Sequence, residues 1–516
     1  MGEQNGVKTV SLVVIINVVA RALALLAGIM VTSFYGATVQ TSAYSYALTL
    51  TNIITTIIGT ALTTSVVPIY TDIRESHGMG RAARFVNNTI SLTILVGGIL
   101  VVLGILTAPL TAYFAKDGDY QFAVYSIRVM MPAIVFISLS YIFSGVLQAH
   151  NHFYVAAMIS LPSSLVNVGY MLLFSRFFGV WGLTVAALLG FFVQAVFLLV
   201  PLKRMGFGLK VSCQWRNEDI KRIFVMTAPV IIGVCAYQIN LLTNSAIAMA
   251  YDAEKYIILN NMQNLGVQIV MTLVLAVASV AYPKMSLLVA QKNREGFYAY
   301  FTTAVNSLVL LLLPISVGFA VLSPQIVDMV YGYGEFGSAD VQLGAGIFAL
   351  YGVSVLGIGL KEIVDRAFYA DRNTKTSAYN GVLIMVVNIL LSLLFVRFGG
   401  FYGIALAYSI AALAGGFSIL FLFKKHHKEF SLKPVGGSIV KSLIGCAIMG
   451  AVLILLQLIP MPAGKLFTLV KLGVSVAAGV LSYAAALMVL RVPEFYNVVM
   501  PVLSRFWNKL GGGQKG

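Results

Sequence analysis

Residues 166–186 read VNVGYMLLFSRFFGVWGLTVA, and residues 387–407 read VNILLSLLFVRFGGFYGIALA. The two stretches align without a gap, 221 positions apart (166 to 387). They share Asn167/Asn388, Phe174/Phe395, Arg176/Arg397, Phe177/Phe398, Gly179/Gly400, Gly182/Gly403 and Ala186/Ala407. Outward from this core the match extends over 145–204 and 366–425, from Ala149/Ala370 to the basic pairs Lys203-Arg204 and Lys424-Lys425. Each copy holds two long apolar runs. A duplicated block of apolar helices is the sequence mark of a secondary transporter built from two lobes around a central cavity.

The chain of 516 residues is 59% hydrophobic and 10% charged, with a mean hydropathy of +0.91. A soluble core of that length needs a far larger charged surface, so most of the chain must lie in lipid. Fourteen spans are predicted, at 10–34, 43–70, 88–114, 121–147, 153–174, 179–202, 223–250, 257–282, 302–326, 342–369, 377–396, 401–423, 437–460 and 467–490. With the N-terminus inside, nine of the 34 Lys and Arg fall elsewhere than in cytoplasmic segments: Lys116, Arg176, Lys255, Arg397, Lys465 and Lys471 in outer loops, and Arg21, Arg128 and Lys361 within spans. The other 25 are cytoplasmic, which predicts both termini in the cytoplasm of a multi-pass protein of the bacterial cytoplasmic membrane. The net charge of +16 is then the positive-inside signal plus attraction to anionic lipid, and nucleic acid is not an expected partner. The first apolar run is too long for a signal-peptide core and reads as a retained helix.

The fold class expected is an all-α polytopic membrane protein with two parallel six-helix lobes and two additional C-terminal helices. The offset between copies spans six helices, an even number, so both copies run in the same sense through the membrane. The lobes are placed at 1–202 and 223–425, with a cytoplasmic linker at 203–222 and the last two helices and a cytoplasmic tail at 426–516. No segment outside the spans is long enough for an enzyme domain.

Few motifs carry chemistry. Gly332-Tyr-Gly334-Glu-Phe-Gly337 fits the dinucleotide spacing G-x-G-x-x-G, but that motif works only after a strand and before a helix, and here it lies in an outer loop. No phosphate-loop motif G-x-x-x-x-G-K-[ST] is present, so transport energy must come from a gradient, the membrane potential or a partner. Cys213, Cys235 and Cys446 are scattered, and the five histidines (His77, His150, His152, His426, His427) fall in cytoplasmic loops without metal spacing. No metal or cofactor is expected.

The polar residues inside the spans say more. Asn17 and Arg21 are one turn apart on the first helix, and an arginine within a membrane helix normally faces a cavity or a partner. The second span carries Thr49, Asn52, Thr56, Thr60 and Thr63 at three- and four-residue spacing. The seventh adds Gln238, Asn240 and Asn244, and the eighth Asn260, Asn264 and Gln268. Such residues can simply join helices to one another. Their concentration in the first and second spans of each lobe favours a polar cavity instead. Arg128 lies two turns from the outer face and can snorkel. Lys361/Asp365 and Glu362/Arg366, at i,i+4 spacing, read as self-neutralising pairs.

Several further stretches resemble the MurJ/MviN family of lipid-linked oligosaccharide flippases, within the multidrug/oligosaccharidyl-lipid/polysaccharide exporter superfamily. They are Ala20-Arg21-Ala22-Leu23-Ala24, Phe34-Tyr35-Gly36-Ala37, Thr41-Ser42-Ala43-Tyr44, Val67-Pro68-Ile69-Tyr70, Asn151-x-Phe153, Gln238-Ile-Asn-Leu-Leu-Thr-Asn244, Tyr282-Pro283 and the segment from Tyr331 to Ala339. Their order and spacing cover nearly the whole chain.

The resemblance implies a flippase that moves an undecaprenyl-diphosphate-linked sugar peptide, lipid II, from the inner to the outer leaflet by alternating access. It implies lipid and cell-wall synthesis proteins as partners. The implied cavity residues are Asn17, Arg21, Ser42, Asn52, Thr55, Thr56, Gln238, Asn244, Asn260 and Asn264. Where the family carries further charges, this chain has Ala27, Gly28, Ser42, Thr55-Thr56 and Asn264. Either hydroxyls and amides hold the diphosphate or the substrate is less anionic. A flippase for another undecaprenyl-linked glycan, and an inactive homologue serving as a scaffold in a cell-wall complex, are the alternatives.

Overall fold

The computed structural model describes residues 3–115, 119–208, 210, 212, 218–460, 462 and 464–496. Lys116, Cys213, most of the predicted linker between 209 and 217, and the tail from 497 lie outside the described residues. Among the described residues every regular element is helical, as expected where each backbone N–H and C=O must be satisfied without water. In chain order the helices are α1 (Glu3–Tyr35), α2 (Val39–Thr111), α3 (Tyr120–Met130), α4 (Ala133–Ala149), α5 (Phe153–Ala157), α6 (Leu161–Leu173), α7 (Ser175–Arg204), α8 (Glu218–Tyr251), α9 (Tyr256–Gln263), α10 (Ile269–Ala290), α11 (Arg294–Tyr331), α12 (Ser338–Ala370), α13 (Thr374–His426), α14 (Lys433–Gln457) and α15 (Lys465–Val489).

The fourteen predicted spans fall on helical segments, with that at 153–174 divided by a turn between α5 and α6. Among the described residues ten helical stretches are long and apolar enough to cross a membrane, two of them, 39–114 and 374–426, each holding two predicted spans, while the spans at 153–174 and 223–250 lie outside these ten. Helix α2 runs on through its predicted turn, broken only at Gly78 (φ 77°, ψ 175°), and α13 breaks only at Gly400. The span predicted at 121–147 is divided between α3 and α4 at Pro132, whose ring removes one backbone donor. The span at 257–282 is α9, a π-helical turn at Asn264–Gln268 and α10.

The duplication read in the sequence is written in the backbone. Helices α4 and α12 end at the paired positions Ala149 and Ala370, and Asn151 and Arg372 then take left-handed φ of 64° and 61°. His152 N–H donates to Leu147 O at 2.9 Å and Asn373 N–H to Phe368 O at 2.8 Å, the same helix-ending pattern in both copies. Gly179 (φ 57°, ψ −151°) and Gly400 (φ 53°, ψ −131°) make matching breaks.

Packing divides the chain into two compact units. Unit 1 is Met1–Ile257 with Tyr333–Gly337, and unit 2 is Ile258–Gly332 with Ser338–Gly516. Tyr70, Phe85, Phe143, Leu147, Leu202 and Phe207 form a buried cluster in unit 1. In unit 2 Phe297, Phe301, Phe368, Phe423 and Phe430 anchor a larger one. Helix α8, which opens the second repeat by sequence, packs in unit 1, so the repeat boundary and the packing boundary differ by one helix.

Candidate functional site

Helix α1 places Asn17 and Arg21 one turn apart, both exposed. Ile15, Val18 and Val19 are exposed beside them, and apolar side chains of that kind can meet lipid directly. An arginine meets lipid only at a cost of roughly 2.5–3.5 kcal/mol on insertion scales. The Asn17–Arg21 face is therefore the polar side of α1.

Helix α2 has two polar roles on one rod. Near its start, Ser42, Tyr46 and Thr49, at i, i+4 and i+7, receive the turn between α8 and α9. The Ser42 hydroxyl donates to Glu254 O at 2.7 Å and accepts from Ile257 N–H at 3.1 Å. The Tyr46 and Tyr256 rings meet edge to face with centroids 5.9 Å apart, and Tyr256 OH donates to Thr49 Oγ1 at 3.3 Å. Ser42 is thus fully buried, with its donor and an acceptor position in use, and it holds α8 against α2. This explains why α8 belongs to unit 1.

Further along α2, Asn52 is exposed, Thr56 half-buried and Thr55 buried. The Thr55 hydroxyl donates to Thr51 O at 2.9 Å, and Thr49, Thr51, Thr63 and Thr64 likewise bond the carbonyl four residues back. Back-bonding satisfies a threonine inside its own helix but commits its proton. What such a hydroxyl can still offer is a lone pair, which a phosphate oxygen cannot use. These five hydroxyls are therefore poor donors to an anion, whereas the guanidinium of Arg21 and the side-chain amides can donate.

Helix α8 holds Gln238 and Asn244 buried in unit 1, with Asn240 one turn before Asn244. In unit 2, Asn260 is half-buried and Asn264 exposed. Asn264 Nδ2 donates to Asn260 Oδ1 at 2.6 Å, so the two amides act as a pair. Asn264 opens the π-helical turn, a distortion that recurs at functional positions in helices. The side chain of Gln268, the next member of that stripe, lies outside the described set.

A cavity of about 620 Å³ at the end of unit 1 where α1 meets α2 is lined by Tyr35, Thr38, Gln40, Asp119, Val180 and Glu254. Gln40 Nε2 bonds Asp119 Oδ2 at 3.4 Å, and Glu254 pairs with Lys255 at 2.9 Å. Its two carboxylates make it unsuited to a diphosphate. Sequence reading passed over these residues because Asp119 and Glu254 are 135 positions apart (119 to 254) and meet only in the fold.

A profile described as lipid II flippase MurJ matches residues 30–475. The chain belongs to the lipid II flippase MurJ family. A probable lipid II flippase MurJ of Treponema pallidum is 24% identical over 477 residues, covering 88% of each chain. A lipid II flippase MurJ of Burkholderia cenocepacia is 24% identical over 432 residues, covering 80% of this chain and 83% of that one. Among solved structures, lipid II flippase MurJ in an inward closed conformation superposes with a TM-score of 0.77 at 21% identity, covering 95% of this chain and 99% of the other. An inward-facing multidrug resistance MATE family transporter of the MOP superfamily superposes with a TM-score of 0.66 at 14% identity, covering 80% and 95%. These likenesses establish the fold of a multi-pass flippase family.

Within the MurJ family fold, the positions where the resemblance placed further charges are uncharged here. Ala27 and Gly28 are half-buried on α1, and a side chain added at Gly28 would meet open space.

Proposed function

We propose that this chain flips lipid II from the inner to the outer leaflet by alternating access. The match to the MurJ family over 30–475 is the observation that carries this reading. The repeat supplies the lobes, 1–202 and 223–425, and the cation distribution supports cytoplasmic termini in a bacterial cytoplasmic membrane. The head group is taken up by polar side chains of α1, α2 and α8, and by the Asn260–Asn264 pair, while the lipid tail stays in the bilayer. Arg21 takes the diphosphate, because a desolvated anion is held best by charged donors and Thr49, Thr51, Thr55, Thr63 and Thr64 of α2 already donate to carbonyls. Asn17, Asn52, Asn260 and Asn264 supply amide donors to sugar and peptide groups, and Gln238 and Asn244 support α8 behind them. Ser42 and Thr55 act as structural supports of α2.

One observation favours a second reading. Ala27, Gly28, Thr55-Thr56 and Asn264 are uncharged where the resemblance implies further charges, which suits a lipid-linked glycan of lower charge. The test is rescue of a bacterium depleted of its own lipid II flippase, by wild type and by Arg21→Ala, with outer-leaflet lipid II as readout. Rescue by wild type and a loss of about ten- to a hundredfold in Arg21→Ala are expected, the equivalent of one charge-assisted hydrogen bond. Equal rescue by both removes Arg21 from the mechanism. Failure of both at normal membrane levels moves the assignment to another glycan or to a scaffold.

A further inference from the structure

Five residues of unit 1 come from a distant part of the chain. The segment Tyr333–Gly337 joins α11 to α12, and both helices belong to unit 2, yet the segment itself packs in unit 1. It carries most of the G-x-G-x-x-G spacing. The Glu335 N–H donates to Ser33 O, close to the end of α1, at 2.9 Å. Two left-handed glycines form the seat, Gly36 at φ 71° and Gly334 at φ 61°. A Cβ on Gly334 would lie 2.0 Å from Ser33 O, and one on Gly36 would lie 3.2 Å from Glu335 O. Phe336 is 3% exposed.

The base of the segment is clamped within unit 2. Lys465, the first residue of α15, reaches Asp328 Oδ1 at 2.6 Å and Asp328 O at 2.8 Å. Gly332 N–H also donates to Asp328 O, at 3.0 Å. A Cβ at Gly332 would meet Asp328 Oδ1 at 2.3 Å and Lys465 Nζ at 2.7 Å. Each glycine of the motif thus has its own status: Gly332 is required by the clamp and Gly334 by the seat, while a Cβ on Gly337 meets open space.

We propose that residues 332–337 form a strap, clamped at its base by Lys465–Asp328 and seated on the end of α1, which closes the outer side and lifts from Ser33 in each transport cycle. The proposal rests on the alternating-access reading above. A strap owned covalently by α11 and α12 but seated on α1 has to leave its seat in any rearrangement that carries those helices away from α1. The Glu335–Ser33 backbone hydrogen bond and the buried Phe336 ring are contacts of the kind that lid motions make and release. The glycine spacing that cradles a pyrophosphate in a βαβ unit serves here to let two backbones touch.

Two measurements test it on the full chain in lipid nanodiscs and vesicles. Hydrogen exchange should show the Glu335 amide protected in wild type, exchanging at least about tenfold faster in Gly334→Ala, and unchanged in Gly337→Ala. An unprotected wild-type amide, or equal protection in Gly334→Ala, overturns the seat. In a background with Cys213, Cys235 and Cys446 replaced by Ala, Ser33→Cys/Glu335→Cys is joined by a short reductant-cleavable methanethiosulfonate linker. Lipid II translocation should then be abolished and return on reduction. Equal translocation by the fully linked and reduced forms overturns the strap as a moving part. A parent that moves no lipid II refutes the substrate reading alone, and the exchange result then decides the strap.

Discussion

Gly179 and Gly400 stand at one place in the two copies, and both hold a combination of φ near +55° with strongly negative ψ that only glycine adopts comfortably. No atom lies within 4 Å of a Cβ built at Gly179, so Gly179→Ala isolates the backbone cost from any steric one. It is expected to lose about 1–3 kcal/mol, read as a lowered unfolding midpoint in detergent. An unchanged midpoint would show that the break can be made by other backbone conformations. His427, 7% exposed after the end of α13, makes a second residue-scale case. Burial holds its imidazole below the ordinary value of 6.5, with Asp371 3.6 Å away pulling the other way and Arg294 and His426 adding to the lowering. A histidine with a lowered native value contributes stability that is complete above the unfolded value and is lost as pH falls below about 6.5 through the native value. Wild type should therefore lose unfolding temperature faster than His427→Gln as pH falls below about 6.5. Parallel curves would remove His427 from the acid response.

At the scale of elements, lipid offers helices no hydrophobic reason to associate, so small residues that allow close approach decide which pairs hold. Helices α12 and α13 show this at Gly357 and Gly416. A Cβ on Gly357 would lie 2.3 Å from Ala412 O, and one on Gly416 would lie 2.5 Å from Gly357 O. Backbone cannot yield as a side chain does, and Gly357→Ala is expected to destabilise by about 1–3 kcal/mol. Gly381→Ala on the same α13 meets nothing within 4 Å and should be neutral or stabilise by up to about 1 kcal/mol through helix propensity. Thermal unfolding of the pair separates the crossing from a general intolerance of substitution. The α2 helix makes the complementary point about polarity. Its threonine stripe reads as a cavity wall in sequence, yet two of its members, Thr49 and Thr63, are bonded to their own helix, as are Thr51 and Thr55 outside the stripe.

For the whole molecule, what sequence could convey was what repeats or alternates along one helix. The repeat pairs Ala149/Ala370 and Gly179/Gly400 and most of the spans were legible because each is a local pattern of hydropathy or a local residue identity. What depends on partners far along the chain was not. Ser42 reads as a cavity residue until Glu254 and Ile257 are seen to occupy it. The 332–337 glycines read as a failed nucleotide motif until Ser33 is seen against Gly334. The π-helical turn at Asn264 has no signature that separates it from the helix around it. The polar stripes alone do not distinguish a diphosphate substrate from a less charged one, because the threonines in them differ in where their protons go. The most direct test of the account is lipid II translocation by purified protein in sealed vesicles, comparing wild type, Arg21→Ala and Thr55→Val. Wild type should move the head group across the bilayer, Thr55→Val should retain most of that rate, and Arg21→Ala should lose about ten- to a hundredfold. Wild-type vesicles that leave lipid II on its original side, with the protein folded and correctly inserted, would contradict the account at its centre.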